Sequence, residues 1–331
     1  MKKSVIKNEN QVILFNLIEK TLHSNISLVD DISDLLNIGP DAAYRRRRGA
    51  KPISLEEAIK LSKHYQISLD LFTDVNDKQL HFKLAPENVE DANNYLKYAL
   101  EWSNNLASFQ GTPECEIIMS ATDVPAFNFL SFKELGCFQL YAWNKGVYDL
   151  PESYEAFVKE LNTDELSKCY RKITNHYQQI PSSEIWTDHT IDSLLDLMQY
   201  HSDMKHFSDK NTPLFLCEQL LELMDTLYDW AKKGTKGSNA APYKMYVSEI
   251  DLGNTFIILK NAKMSTCLLK LFGSNGLSIT DESFCHVIEN WLNLLAGRAT
   301  LISGTSEKER FKFFNIQRQK IIFLMEKIQQ Q

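Results

Sequence analysis

The sequence predicts a mainly α protein with two domains. Three observations support this fold class: short amphipathic helical patterns fill the first 75 residues, a polar stretch follows, and mostly helical periodicity continues beyond it. The larger domain is expected to be an α-rich α+β domain with a small antiparallel sheet. We place the domains at residues 1–75 and 89–331, with a linker at 76–88 and a candidate subdomain boundary near 234–242.

Five short helices are predicted in the N-terminal domain. The helical spacing of Phe15 and Ile18 predicts the first of them. Ser54 and Glu57 have the spacing of a capping box, in which each side chain satisfies a free backbone N–H, and they predict a fourth helix at 55–65. A final short turn is expected at 68–72.

The second and third helices are separated by a tight turn. Ser27 is a suitable N-cap for the second helix, and Asn37 tolerates the left-handed backbone that a tight turn needs. Pro40 suits the first position of the third helix, which is expected to stop at Gly49. Helix, tight turn and helix in this order are typical of a helix-turn-helix, whose second helix enters the DNA major groove.

Four consecutive arginines, Arg45 to Arg48, lie in this third helix. A guanidinium group can donate two hydrogen bonds to guanine and can also pair with phosphate. Consecutive helix residues lie about 100° apart, so we expect one or two arginines to read bases and the others to hold phosphates. The alternative is a solvated basic helix face, which the turn, the glycine stop and the following helix make less favoured.

The N-terminal domain resembles a Cro-like and phage-repressor-like DNA-binding domain in three segments, 32–49, 52–61 and 67–71. More narrowly, they are similar to helix-turn-helix regulators of Bacteroides-type bacteria, which carry an A-Y-R-R-x-R-G core before a P-x-x-x-x-E-A segment. Segments 123–127 and 132–143 also resemble the second domain of those regulators. The resemblance implies a five-helix repressor-like fold for the first 75 residues and a role in transcription regulation.

By this resemblance, base contacts fall on the start and the exposed face of the third helix. Two positions depart from the family pattern: Asn37 stands where Gly is usual, and Arg46 stands where an apolar residue is usual. We expect the Arg46 stem to lie along the edge of the core with its guanidinium outside. Whether Arg46 or Arg47 contacts DNA stays open. The candidate DNA-binding residues are Asp41, Tyr44, Arg45, Arg46, Arg47, Arg48 and Lys51.

The large domain is predicted to be an effector and dimerisation domain. Three strand patterns between 244 and 272 predict an antiparallel meander. The aromatic segment 127–143 is favoured as buried core, with the wall of a small-molecule pocket as the alternative. A heptad stripe of Phe314, Ile321 and Ile328, supported by Phe311 and Leu324, is expected to pack either on its own domain or on a second subunit.

The sequence offers no support for an enzyme, a cofactor, a metal site or a membrane segment. It lacks the G-x-S-x-G, H-E-x-x-H and G-x-G-x-x-G motifs, and its longest apolar run is too short for a membrane span. His201 and His206 are five residues apart, unlike the i, i+4 pair of zinc-binding helices. The six cysteines are scattered, as in proteins of the reducing cytosol, so we expect a cytoplasmic location.

We therefore predict a sequence-specific transcriptional regulator that binds double-stranded DNA as a homodimer. The net charge of −7 requires the positive charge of a DNA-binding surface to be local. The large domain would respond to a small molecule or a protein. The alternative is an antitoxin-like or phage-repressor-like autoregulator whose large domain is a protein-interaction module, and an enzyme joined to a DNA-binding domain is least favoured.

Overall fold

The computed structural model describes residues 9–22, 27–65, 67–72, 80–85, 92–161, 163–271 and 275–330. The chain divides into two units, Met1–His81 and Phe82–Gln331. Most of the predicted linker, at 76–79 and 86–88, lies outside the described residues. Residues 80–85, between these two segments, are described, and the last three of them form a strand of the second unit.

The first unit consists of short helices around one apolar core. The side chains of Phe15, Ile18, Ile32 and Leu61 are fully buried in it. Helical spacing places these apolar residues on the inward face of each helix, so the core follows from the sequence pattern. The helices are α1 (Glu9–Thr21), α2 (Leu28–Leu36), α3 (Pro40–Arg47), α4 (Leu55–Tyr65) and a short 3-10 helix (Leu69–Phe72).

Capping residues set the helix ends of this unit where the sequence predicts them. The Ser27 hydroxyl accepts a hydrogen bond from the Asp30 backbone N–H, and Asn37 ends α2 in the left-handed region with φ 52°. Ser54 Oγ accepts the Glu57 N–H at 3.1 Å, while the Glu57 carboxylate accepts the Ser54 N–H at 3.0 Å. This reciprocal pair is the predicted capping box.

Within the described residues the second unit contains a nine-stranded mixed sheet, so the predicted α-rich α+β domain with a small antiparallel sheet is wrong. The order is β1-β8-β7-β6-β2-β3-β5-β4, and β9 pairs with β5. The pairs β2–β3 and β3–β5 are parallel and the other pairs are antiparallel. This unit is an α/β domain built on a large sheet. Its strands are β1 (Lys83–Ala85), β2 (Glu116–Ser120), β3 (Ser182–Trp186), β4 (Thr235–Lys236), β5 (Ala241–Val247), β6 (Phe256–Lys260), β7 (Ser265–Lys270), β8 (Gly276–Ile279) and β9 (Thr300–Leu301).

One of the strands that sequence reasoning missed, β3, lies between β2 and β5 and is parallel to both. Its sequence is Ser-Ser-Glu-Ile-Trp, with the fully buried Glu184 in the middle. The Tyr177 hydroxyl donates a hydrogen bond to this carboxylate, and the Trp186 indole N–H donates another at 3.1 Å. Because these donors satisfy the carboxylate, a charged residue can occupy a central strand without an apolar sequence pattern.

Helices cover both faces of the sheet. Along β2, Ile117 and Met119 belong to the larger apolar core, whereas Ile118 belongs to a second core beside α12. Alternate strand residues face opposite sides, so the unit has helix, sheet and helix layers. Its helices are α5 (Ala92–Phe109), α6 (Ala126–Phe129), α7 (Lys133–Asn144), α8 (Tyr154–Glu160), α9 (Thr163–Gln179), α10 (Asp192–Asp203), α11 (Thr212–Lys233), α12 (Glu282–Arg298) and α13 (Glu307–Gln329).

The heptad stripe of α13 packs on its own domain. Phe314, Ile321 and Ile328 are buried in the larger core of the second unit, where α13 contacts α11 and α10. These side chains and Leu324 are covered by their own chain, whereas Phe311 at the start of the stripe is exposed.

None of the described helices is long and apolar enough to span a membrane. All six cysteines are free thiols. Desolvation raises the pKa of the Cys137 and Cys217 thiols to about 12, so both stay neutral at physiological pH and act as small apolar side chains.

Candidate nucleic-acid interface

The four arginines at the C-terminal end of α3 have two kinds of environment: two side chains form no ion pair within the described residues, and two are paired with a glutamate. Arg45 and Arg48 are exposed, whereas Arg46 is buried and Arg47 pairs with Glu19 at 2.7 Å. The 100° step between successive helix residues sends the four side chains in different directions, as expected from the sequence.

Arg46 faces the interior and binds Glu57 of α4. Its Nε and Nη2 atoms donate to the two carboxylate oxygens at 3.0 Å and 2.7 Å, and Nη1 donates to the Ala42 carbonyl at 3.4 Å. The hydrogen bond from Arg46 lowers the pKa of Glu57 below its ordinary value. The guanidinium therefore does not lie outside the core, and Arg46 does not share the exposed face of α3.

One face of α3 is exposed and carries four residues: Asp41, Tyr44, Arg45 and Arg48. They occupy positions i, i+3, i+4 and i+7, which lie on the same side of a helix, and all four side chains are exposed. The Arg48 guanidinium lies 5.6 Å from the centre of the Tyr44 ring. Within the described part of the chain, neither Arg45 nor Arg48 takes part in an ion pair. Their N–H donors are therefore available to a ligand.

Lys51 continues this face beyond the helix. Gly49 ends α3 with φ 68°, and the Lys51 N–H donates to the Arg45 carbonyl at 3.2 Å. The exposed Lys51 side chain thus follows directly after the C-terminal end of the arginine face. An ammonium group here can pair with a phosphate next to the groups that α3 presents.

Sequence reasoning missed Gln11, which fixes the segment after α3. This buried side chain donates through Nε2 to the Arg46 carbonyl at 2.6 Å and to the Lys51 carbonyl at 2.8 Å, and its Oε1 accepts the Ile53 N–H at 3.0 Å. A signal was present, because Gln11 lies three positions before Leu14, on the apolar face of α1. A polar residue in an apolar stripe indicates a specific hydrogen-bonding role.

No protein-family model matches this chain, and no curated protein matches it. The likeness to Cro-like and phage-repressor-like domains therefore stays a prediction from the sequence.

The first unit is nearly neutral, whereas the second unit is acidic. Residues 1–81 contain 12 Lys and Arg against 11 Asp and Glu, whereas the remaining residues contain 24 against 32. The excess of acidic residues therefore belongs entirely to the second unit. The exposed face of α3 and Lys51 supply three cations against the single carboxylate of Asp41, which makes this surface locally basic.

The histidines of the second unit do not assemble a metal site. His201 and His206 meet, with their Nδ1 atoms 2.8 Å apart, because the chain turns back directly after α10. His189 instead bonds Asp192 at 2.8 Å. Among the described residues, no group of three or more His, Cys, Asp or Glu side chains is arranged to hold a metal ion.

Proposed function

We propose that the first unit binds double-stranded DNA in a sequence-specific manner and that the protein is a cytoplasmic transcriptional regulator. One observation carries the proposal: α3 presents Tyr44, Arg45 and Arg48 on a single exposed face, with the guanidinium groups free of ion pairs within the described residues. A short helix that follows a tight turn and displays such donors fits the DNA major groove.

The proposed contacts follow from the two environments of the arginines. Arg45 and Arg48 donate to base edges, and Asp41 at the start of α3 accepts a hydrogen bond from a cytosine amino group. Lys51 pairs with phosphate, as does Arg47, whose side chain is about one-third exposed despite its ion pair with Glu19. Arg46 has no direct role, because its guanidinium is held by Glu57.

A homodimer on an inverted repeat is the assembly that we propose. One short helix covers only a few base pairs, and specific binding of such modules uses two half-sites about one helical turn apart. The buried α13 stripe does not supply the contact between subunits. In this proposal the second unit is the effector domain, which responds to a small molecule or a protein, and no catalytic step is assigned to it.

The test is selection of bound sequences from a random pool of duplex DNA with the full chain. Wild-type protein should enrich an inverted repeat. Arg45→Ala and Arg48→Ala should each weaken binding to that repeat by about 1–3 kcal/mol and relax the preference at one base pair.

Arg171→Ala is the matched control, because it removes the same charge from an exposed position on α9 in the second unit. This variant should bind the selected repeat like wild type. Equal binding by all four proteins, or a loss of binding that is independent of sequence, would refute base reading by α3.

A further inference from the structure

A cavity of about 540 Å³, wide open to solvent rather than enclosed, lies in the second unit at one edge of its sheet. Asp123 reaches it from the segment directly after β2, and Asp196 and Tyr200 reach it from α10, which follows β3. Because β2 and β3 are parallel, their carboxyl ends lie at this same edge. Lys270, the last residue of β7, also lines the cavity.

This position is where α/β proteins bind small molecules. Loops and helix starts at the carboxyl ends of parallel strands form a crevice that the sheet itself does not fill. The volume lies within the range of ordinary ligand pockets. Apolar walls come from Trp143, Leu197 and Leu271, so the cavity can accept a flat or aliphatic group.

Charges in the cavity are not balanced. Asp123 pairs with Lys270, whose ammonium also lies 4.5 Å from the centre of the Trp143 ring. Asp196 is exposed, and no hydrogen bond or ion pair to its carboxylate is found within the described residues. Two carboxylates therefore face one ammonium, which leaves one negative charge for a ligand to neutralise.

One face of α10 combines this free charge with groups that recognise a ring. Four residues of α10 line the cavity and have the i, i+3, i+4, i+7 spacing of one helix face: Ser193, Asp196, Leu197 and Tyr200. A cation beside Asp196 would lie on the same helix face as Leu197 and Tyr200, within one turn of both. Lys270 on Trp143 shows that an aromatic wall of this cavity accepts a positive charge.

We propose that this cavity binds a small organic cation, namely a primary amine joined to an aromatic or similarly flat apolar group. The ammonium pairs with Asp196, and the ring lies between Leu197 and Tyr200. Binding itself does not depend on DNA. Only the interpretation that this ligand controls a transcriptional regulator rests on the function proposed for α3.

The test is calorimetric titration of the full chain, without DNA, with phenethylamine as the cationic probe. Phenylpropanoate and 2-phenylethanol serve as the anionic and neutral probes of similar size. Phenethylamine should bind more tightly than the other two. Asp196→Asn should weaken its binding about tenfold, because a hydrogen-bonded ion pair is lost. Asp229→Asn, at an exposed position of α11, should leave binding unchanged.

Lys270→Met gives a second readout of opposite sign. Removing this ammonium leaves the cavity more negative, so phenethylamine should bind more tightly to the variant. Any of four results would overturn the proposal. These are tighter binding of phenylpropanoate than of phenethylamine, weaker binding of phenethylamine by Lys270→Met than by wild type, equal binding of phenethylamine by Asp196→Asn and wild type, and no binding of any probe. Because DNA is absent from the titration, these results leave the proposal for α3 untouched, and the selection experiment tests that proposal separately.

Discussion

Arg46 and Glu57 fix the corner between α3 and α4 in the first unit. Glu57 serves two partners, because its carboxylate accepts both the Ser54 N–H of the capping box and the Arg46 guanidinium. The Arg46 side chain is only 8% exposed, so solvent cannot replace these hydrogen bonds if one partner is removed. Arg46 therefore has a structural role.

We predict that Arg46→Ala lowers the free energy of unfolding of the first unit by about 1–3 kcal/mol. Urea denaturation followed by far-ultraviolet circular dichroism measures it. Tryptophan fluorescence provides an internal control, because all five tryptophans lie in the second unit and their transition should not move. The matched variant Arg48→Ala, on the exposed face, should change stability by less than about 0.5 kcal/mol. Equal losses in the two variants would contradict this role.

Lys236 is a buried cation in the second unit. Its ammonium donates to Ser182 Oγ at 2.6 Å and lies 3.3 Å from the centre of the Tyr177 ring. Ser182 in turn donates to Glu184 at 3.1 Å, so a hydroxyl joins the buried cation to the buried carboxylate. Tyr243 completes the cluster by donating to Glu184 at 3.4 Å. Desolvation lowers the pKa of Lys236 to about 7, although Glu184 acts in the opposite direction.

This pKa predicts a pH dependence with a definite sign. Between pH 7 and the ordinary lysine value of 10.5, the unfolded chain holds a proton that the folded chain has released. Stability therefore rises with pH across this window, by up to about 1.4 kcal/mol per pH unit. Tyr177 and Tyr243 have raised pKa values and oppose the rise only near pH 10 and above.

Denaturation at pH 7 and pH 9, followed by tryptophan fluorescence, measures this contribution of Lys236. The gain in stability should be smaller in Lys236→Met than in wild type, because the variant has no proton to release. Lys233→Met, at an exposed position of α11, should keep the wild-type gain. A Lys236→Met protein with the full gain would show that other groups cause it.

The turn between β4 and β5 depends on a glycine for two reasons. Gly237 has φ 66°, and a Cβ atom added to it would lie 2.6 Å from the Gln178 carbonyl oxygen of α9. Gly234 has nearly the same backbone angle, φ 68°, but nothing lies within 4 Å of an added Cβ. The two positions therefore separate backbone strain from steric overlap.

We predict that Gly234→Ala destabilises the second unit by about 1 kcal/mol, because only left-handed strain is added. Gly237→Ala should cost clearly more, because the turn must also move away from α9. Thermal or urea unfolding of the two variants, monitored by tryptophan fluorescence, compares them directly. Equal losses would mean that the turn shifts away from Gln178 without resistance.

Elements with local signals could be predicted from the sequence, and elements formed by distant pairing could not. The ends of α2 and α4 follow from Ser27, Asn37 and the capping box, which act within one helical turn. In contrast, β3 is stabilised by parallel neighbours far along the chain and by donors to Glu184. The predicted three-strand meander is wrong for the same reason: β5 pairs with β3 and not with β6, and the antiparallel run is formed by β6, β7 and β8.

The candidate interface could also be predicted only where local sequence signals determine it. Helical spacing alone places Tyr44, Arg45 and Arg48 on one face of α3, and this part was predictable. The burial of Arg46 depends on Glu57, a residue in another helix, so the sequence left its role open. The Asp196 cavity could not be predicted at all, because its walls come from segments that the missed parallel pairing brings together.

At the scale of the whole molecule, the two units should respond differently to acid. In the second unit, desolvation and the neighbouring His206 lower the pKa of His201 to about 4. Between pH 6.5 and 4 the unfolded chain therefore binds a proton at His201 that the folded chain does not, so stability falls as the pH falls. In the first unit, the lowered pKa of Glu57 contributes stability that is lost only below its ordinary value of 4.5.

We therefore predict that lowering the pH from 7 to 5 destabilises the second unit while the contribution of Glu57 to the first unit stays intact. Urea titrations at both pH values resolve the units: tryptophan fluorescence follows the second unit, and the part of the circular dichroism change that fluorescence does not share follows the first. His201→Gln should lose part of the acid sensitivity of the second unit, whereas His189→Gln should keep it because His189 is largely exposed. If His201→Gln shows the full wild-type loss between pH 7 and 5, the buried His201–His206 pair is not its origin.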